Sequence, residues 1–332
     1  TAILNLVPAE DKRSARSDRR SFRKPESRTQ GRAIMSVSTE NVPTAPKKSE
    51  NSSCYIDPSS LKNAKKPGYQ HKLDALQRVH FVRPTGAGQQ HLDVGCGSGG
   101  FTRDALLDHL HPCRRIVAVD RSDLLLDYAR EHASHPAIIY DHLDIETDDP
   151  QPLLDKYGQF DRIYSFLALQ CVRDLERAYR NMFRLLKDGG ECALVTLTGS
   201  VITDVMYQLS CMKQWKAYVP DPTKIYSDRF FFEPPIVGEE VVKAEKNALE
   251  EAGLTLVSCS VYDSQWKMPD VESWIDLYAP VFKLDANIPE KQRDAFRTDC
   301  RSLLAKNTIT MDDGCSMRHS FVVVHAQRPP RD

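Results

Sequence analysis

The chain has 332 residues, 41% of them hydrophobic, and a formal net charge of −1. That length gives one or two domains with a sizeable core, and the near-zero charge argues against a dedicated nucleic-acid binder, whose domain is strongly basic. No apolar run is long enough for a membrane span, and nine scattered cysteines without a C-x-x-C pair read as reduced, cytoplasmic thiols and not as a disulfide framework or metal site.

Residues 1–53 are rich in Ser, Pro, Arg, Lys and Glu and read as a disordered leader, because they bury too little apolar surface to offset ordering entropy. The chain opens on Thr1, and Met35 is a candidate start. Residues 54–332 are expected to form the folded domain. Leu73, Leu76, Val79 and His80 recur at helical spacing, predicting an amphipathic helix over His71–Phe81.

The run His91-Leu92-Asp93-Val94-Gly95-Cys96-Gly97-Ser98-Gly99-Gly100 ends an apolar strand in an acid and a glycine turn. Such a turn lets the backbone approach a bulky ligand, and it is expected to leave free N–H groups at the following helix. Asp120 ends the next apolar run, at the distance where an acid of a nucleotide-binding fold meets ribose hydroxyls. Strands are predicted near 91–95, 115–119, 136–140, 160–166 and 191–197, with helices near 100–110, 122–132 and 174–187, the last ended by Gly189-Gly190. This alternation predicts an α/β, Rossmann-like fold whose parallel sheet is covered by helices on both faces. A helix over Val241–Ala252, ended at Gly253, leads to a strand at 254–258, and a final strand covers Ser320–Ala326. Two aromatic segments, about 200–235 and 265–310, read as a cap over an apolar pocket; the second holds Trp266, Trp274 and a charged helix from Pro289 to Lys306.

Gly95-x-Gly97-x-x-Gly100 also fits a dinucleotide fingerprint. Asp93 decides against it. A carboxylate there repels a pyrophosphate but suits S-adenosylmethionine, which carries an ammonium and a sulfonium. The segments Phe160–Phe166 and Leu185–Thr196 follow in register, and the whole order resembles the class I S-adenosylmethionine-dependent methyltransferases. The resemblance implies an antiparallel hairpin closing the sheet. It implies a cofactor site in which Asp93 holds the amino group and Gly95, Cys96, Gly97 and Gly99 form the close-approach turn. Asp120 and Arg121 would serve the ribose and adenine, Asp144 and Ile145 the adenine, and Ser165 the methionine part.

Over about residues 68–320 the chain resembles the juvenile hormone acid and farnesoic acid O-methyltransferases of arthropods, on the Leu92–Gly100 motif, Phe160–Val172, Leu185–Val195 and Trp215-x-x-Tyr218. That family methylates the carboxylate of an apolar sesquiterpenoid acid, so a small apolar carboxylic acid is the expected partner. Oligomeric state, monomer or homodimer, stays open. Where the family carries a His-Trp pair, this chain has Gln170-Cys171, and Gln70 lies near the family's Gln-containing helix start. A carboxylate is already ionised at pH 7, needs no base, and is aimed by amide donors such as Gln70 and Gln170. Cys171, Trp215 and Tyr218 are the expected pocket residues. Two alternatives remain open at this point. One is another oxygen, nitrogen or carbon acceptor needing a base such as His80, Tyr164 or His142. The other is a cofactor-binding protein that has lost its acceptor site.

Overall fold

A computed structural model describes residues 68–226, 238–279 and 284–331; the expected leader, the Met35 start and the run Phe230-Phe231-Phe232 lie outside them. Apolar runs buried on both faces favour parallel pairing. Strands β1 (Gln90–Val94), β2 (Arg115–Asp120), β3 (Ile138–His142), β4 (Phe160–Phe166) and β5 (Leu186–Ser200) pair in parallel, in the order β3-β2-β1-β4-β5. Every residue of β1 and β4 is buried. The sheet continues antiparallel through β8 (Gly314–Gln327) to the edge strand β6 (Thr255–Met268), with the short β7 (Ile309–Met311) also paired to β8. Because β1 sits between β2 and β4, the strand order reverses at its C-terminal end, the place where open α/β sheets bind ligands.

Helix α1 (Gly68–Arg78) precedes the sheet, and a π-helical turn over Thr102–Leu106 runs into α2 (Leu107–Leu110). Next come α3 (Asp123–His132), α4 (Gln151–Tyr157) and α5 (Leu175–Leu185). Helix α6 (Val201–Cys211) starts beyond β5, and α7 (Glu239–Glu251) precedes β6. Gly253 stops α7 at φ +87°, while the Leu254 N–H reaches back to the Leu249 carbonyl at 2.9 Å. Helices α8 (Val271–Tyr278), α9 (Leu284–Asn287) and α10 (Arg293–Asn307) lie between β6 and β7, with α10 packed on both α6 and α8. One sheet face packs α1 and these inserted helices around Trp215, Trp266, Trp274 and Phe321; the other packs α5 and α7 around Phe160, Tyr179 and Leu249. No helix of the described residues is long and apolar enough to cross a membrane.

Several expectations need correction. Gly189-Gly190 does not end α5, which stops at Leu185; Gly189, at φ +69°, sits inside β5 where the register with β4 shifts, and its N–H donates to the Arg328 carbonyl. Strand β6 runs ten residues beyond the expected end at 258, so Trp266 is a strand residue paired with Met317, not part of an insertion. The aromatic segment expected at about 200–235 opens with the regular helix α6, capped by Ser200, whose Oγ accepts the Ile202 N–H.

Candidate active site

The turn after β1 is shaped by what surrounds it. Gly95 holds φ +75°, and a Cβ there would lie 2.2 Å from the Cβ of Ala168, at the end of β4. Gly99 holds φ +73°, and a Cβ would meet the Tyr140 hydroxyl at 2.4 Å. The N–H groups of Gly95 and Cys96 both donate to the Val119 carbonyl, at 2.8 and 3.0 Å, and that of Gly97 donates to Asp120 Oδ2 at 3.0 Å. The Gly99 N–H donates to the Cys96 carbonyl at 3.1 Å. The N–H groups of Gly95, Cys96 and Gly97 are therefore engaged within the protein, because the end of β2 lies directly beside the turn.

One crevice at the switch point brings together Gly95, Gly97, Asp120, Arg121, Asp144, Ile145 and Cys171. Its apolar wall comes from Val94, Leu125, Leu143, Leu167, Leu169 and Val172. Asp120 accepts from Gly97 through one oxygen and from the Ser122 N–H, at 2.9 Å, through the other; burial raises its pKa. Arg121 faces Glu146 at 3.9 Å, and Asp144 Oδ1 accepts the Glu146 N–H at 3.0 Å. Asp93 is buried behind the turn, where its Oδ2 accepts the Thr102 hydroxyl at 2.6 Å. Burial pushes its pKa up to about 6, Asp120 adds to the rise, and the Thr102 bond and the Lys72 ammonium oppose it. Burial and the two aspartates likewise hold the Cys96 thiol protonated. Ser165 is fully buried and ties β4 to β1 by donating to the Val94 carbonyl at 2.9 Å.

The remaining predicted residues lie elsewhere. Gln70 is exposed and donates to Asp74 at 2.8 Å. Gln170 Nε2 donates to the Leu167 carbonyl at 2.6 Å, while its Oε1 is buried without a partner among the described residues. The amide thus braces Leu167, the non-glycine residue held at φ +58° on the crevice wall. Trp215 donates its indole N–H to Asp299 at 2.7 Å and packs edge-on against Phe296 of α10; the Tyr218 carbonyl accepts from Asn287. Both belong to the inserted helical layer and not to the crevice wall. Of the three candidate bases, His80 is exposed, His142 pairs with Asp123 at 2.9 Å, and Tyr164 is fully buried with its pKa raised.

Sequence reasoning missed Lys72. Its ammonium lies 5.0 Å above the Phe101 ring, which Tyr69 contacts edge-on at 5.5 Å, and its charge acts on Asp93 and Cys96. Tyr69 and Lys72 are three residues apart, on one helix face; that spacing was the available signal.

Geometry and charge fit an adenosyl sulfonium cofactor. The close approach at Gly95 needs the missing Cβ, the acids Asp93, Asp120 and Asp144 gather at the strand ends, and the N–H groups of residues 95–97 are not free for a pyrophosphate. A family model described as a methyltransferase domain matches residues 92–194. Juvenile hormone acid O-methyltransferase of Bombyx mori is 32% identical over 188 residues, 55% of this chain and 64% of that protein. The Drosophila melanogaster protein of that name is 31% identical over 152 residues, 45% of this chain and 50% of that one. Malonyl-[acyl-carrier protein] O-methyltransferase of Pectobacterium atrosepticum is 35% identical over 129 residues, 39% of this chain and 47% of that protein. The chain spans about half to two thirds of the length of these relatives. Among solved structures, phosphoethanolamine N-methyltransferase 2 of Haemonchus contortus superposes with a TM-score of 0.44 at 18% identity, covering 79% of this chain and 53% of that one. Residues 92–194 thus match a methyltransferase domain on the motif and crevice described above, and the chain is similar to the juvenile hormone acid O-methyltransferases.

Proposed function

We propose that the protein methyl-esterifies the carboxylate of a small apolar acid, with S-adenosylmethionine as donor. The observation that carries this reading is the junction at Gly68. A Cβ there would lie 3.3 Å from both Leu167, on the crevice wall, and Trp266, in the aromatic layer. A buried apolar, aromatic layer therefore adjoins the cofactor crevice, which supports an apolar acceptor. The names of the relatives add support from sequence.

The cofactor supplies an electrophilic methyl carbon. Methyl transfer to an acceptor carboxylate oxygen would leave the electron pair on sulfur and would need no proton transfer. The protein's part is positioning. In this reading Asp93 and Asp120 hold the ammonium and ribose, Ile145 and Asp144 the adenine, and Lys72 the donor's own carboxylate. Cys171 lines the way in, and Gln170 acts by holding Leu167. The described cysteines are all unbridged thiols, which supports a reducing, cytoplasmic setting.

The test is incubation with methyl-labelled cofactor and a panel of fatty, terpenoid and aromatic acids. A base-labile labelled product is expected whose rate, with cofactor saturating, is flat between about pH 6 and 9, since an ionised carboxylate needs no base. A rate that falls as a base protonates, or a base-stable product, would move the acceptor to another class.

A further inference from the structure

Beyond Leu167, one face of the sheet holds a polar cluster that cofactor binding does not use. His319 on β8 is 1% exposed, and neither ring nitrogen has a hydrogen-bond partner among the described residues. Trp266 on β6 is 7% exposed, and its indole nitrogen is likewise unpartnered. The two rings lie 4.0 Å apart between centroids. His71 of α1 also stacks on Trp266, at 5.7 Å and 7°, with its ring nitrogens 3.0 and 3.1 Å from Ser264 Oγ. Ser264 and His319 are cross-strand partners, and alternation along β6 places Ser264 and Trp266 on the same face.

Native proteins rarely leave buried polar groups unpaired, because losing water without replacement is costly. Here two such groups touch, with His71 and Ser264 as their polar neighbours in a largely apolar core. An indole N–H can only donate, and a neutral imidazole offers one donor. Burial holds the His319 pKa near 4, so the ring is uncharged at neutral pH. Two uncharged donors in apolar surroundings suit an anionic acceptor atom on a greasy molecule. The position suits it too, since Trp266 reaches the Gly68 junction beside the crevice.

We propose that Trp266 and His319 form the head-group subsite of the acceptor pocket, donating hydrogen bonds that fix the acceptor's carboxylate beside the methyl donor. This rests on the carboxylate reading above.

The experiment compares wild type with Trp266→Phe, His319→Phe and His319→Gln. It measures kcat and KM for dodecanoate and farnesoate, calorimetric affinity for S-adenosylhomocysteine, and thermal midpoint. Removing a donor to a charged group should raise KM for the acid by about tenfold or more, with affinity for S-adenosylhomocysteine unchanged and the thermal midpoint unchanged or higher. His319→Gln, which keeps a side-chain N–H, should recover part of the loss. Trp266→Phe keeps an aromatic ring and so serves if His319→Phe does not fold. Folded variants with KM for the acid unchanged would overturn the subsite alone. A wild type that binds S-adenosylhomocysteine but methylates neither acid would overturn the carboxylate reading, and the subsite with it, before any variant is made.

Discussion

Thr102 donates its hydroxyl to Asp93 Oδ2 at 2.6 Å, stitching the end of β1 to the helix that follows the glycines. The bond orients a carboxylate that burial makes reluctant to ionise, with a pKa of about 6 against an ordinary 3.8. The native state therefore holds the Asp93 proton more tightly than the unfolded chain does. This contribution to stability is fully present below the ordinary carboxylate pKa and is lost as pH rises through about 6. Binding runs the other way, because a cofactor ammonium needs the ionised form. Cofactor affinity should fall toward tenfold per pH unit below about 6. Asp93→Asn should weaken binding by about 10–100-fold through loss of a charge-assisted bond. At pH 7.5 the same change should stabilise the fold by on the order of 2 kcal/mol. Calorimetric titrations from pH 5 to 8 and urea melts check both signs; equal affinity at pH 5 and 8 would remove Asp93 from the site.

Gly95 is where the backbone can least accept a side chain. Gly95→Ala meets the Ala168 Cβ at 2.2 Å and must also hold φ +75°. The positive φ costs about 1–2 kcal/mol by itself, and the collision pushes the β4 loop into the crevice. Cofactor binding should be lost. Adding Ala168→Gly removes the colliding atom and should restore binding in part, with the φ penalty remaining in the melting curve.

Glu191 anchors the far end of the sheet. It is 1% exposed; its Oε2 accepts the Val82 N–H at 2.9 Å and lies 2.9 Å from His325 Nε2. Arg162 adds a cation 4.0 Å above the Phe81 ring and donates to the Arg83 carbonyl. Glu191→Ala leaves the Val82 N–H and the His325 ring without that acceptor, and should cost about 3 kcal/mol in urea denaturation. Because Val82 lies in the segment joining α1 to β1, hydrogen exchange over residues 79–84 should rise with it.

The parts of the molecule legible from sequence are those whose signals are local. Acids at strand ends and glycines spaced by two read directly, and Asp120, Asp144 and the glycine turn meet in one crevice. Strand β6 was cut short because Ser258, Ser260, Asp263 and Gln265 look like loop residues; only pairing with β8 makes them a strand. Helix α6 opens with Val201-Ile202-Thr203, β-branched residues that disfavour a helix, and tertiary packing overrides them. Gln170 offered amide donors on paper, but the nearest acceptor is the Leu167 carbonyl three residues back. Lys72 offers only its helical spacing from Tyr69, and His71 and His319 carry no motif at all, since sheet register and the docking of α1 alone bring them to one side of Trp266 and Ser264.

The most direct test of the whole account is a calorimetric titration of the purified chain with S-adenosylmethionine and, separately, with a nicotinamide dinucleotide. The account predicts saturable binding of the sulfonium compound, weakened by Asp93→Asn, and no heat from the dinucleotide. Uptake of the dinucleotide with indifference to S-adenosylmethionine would contradict it.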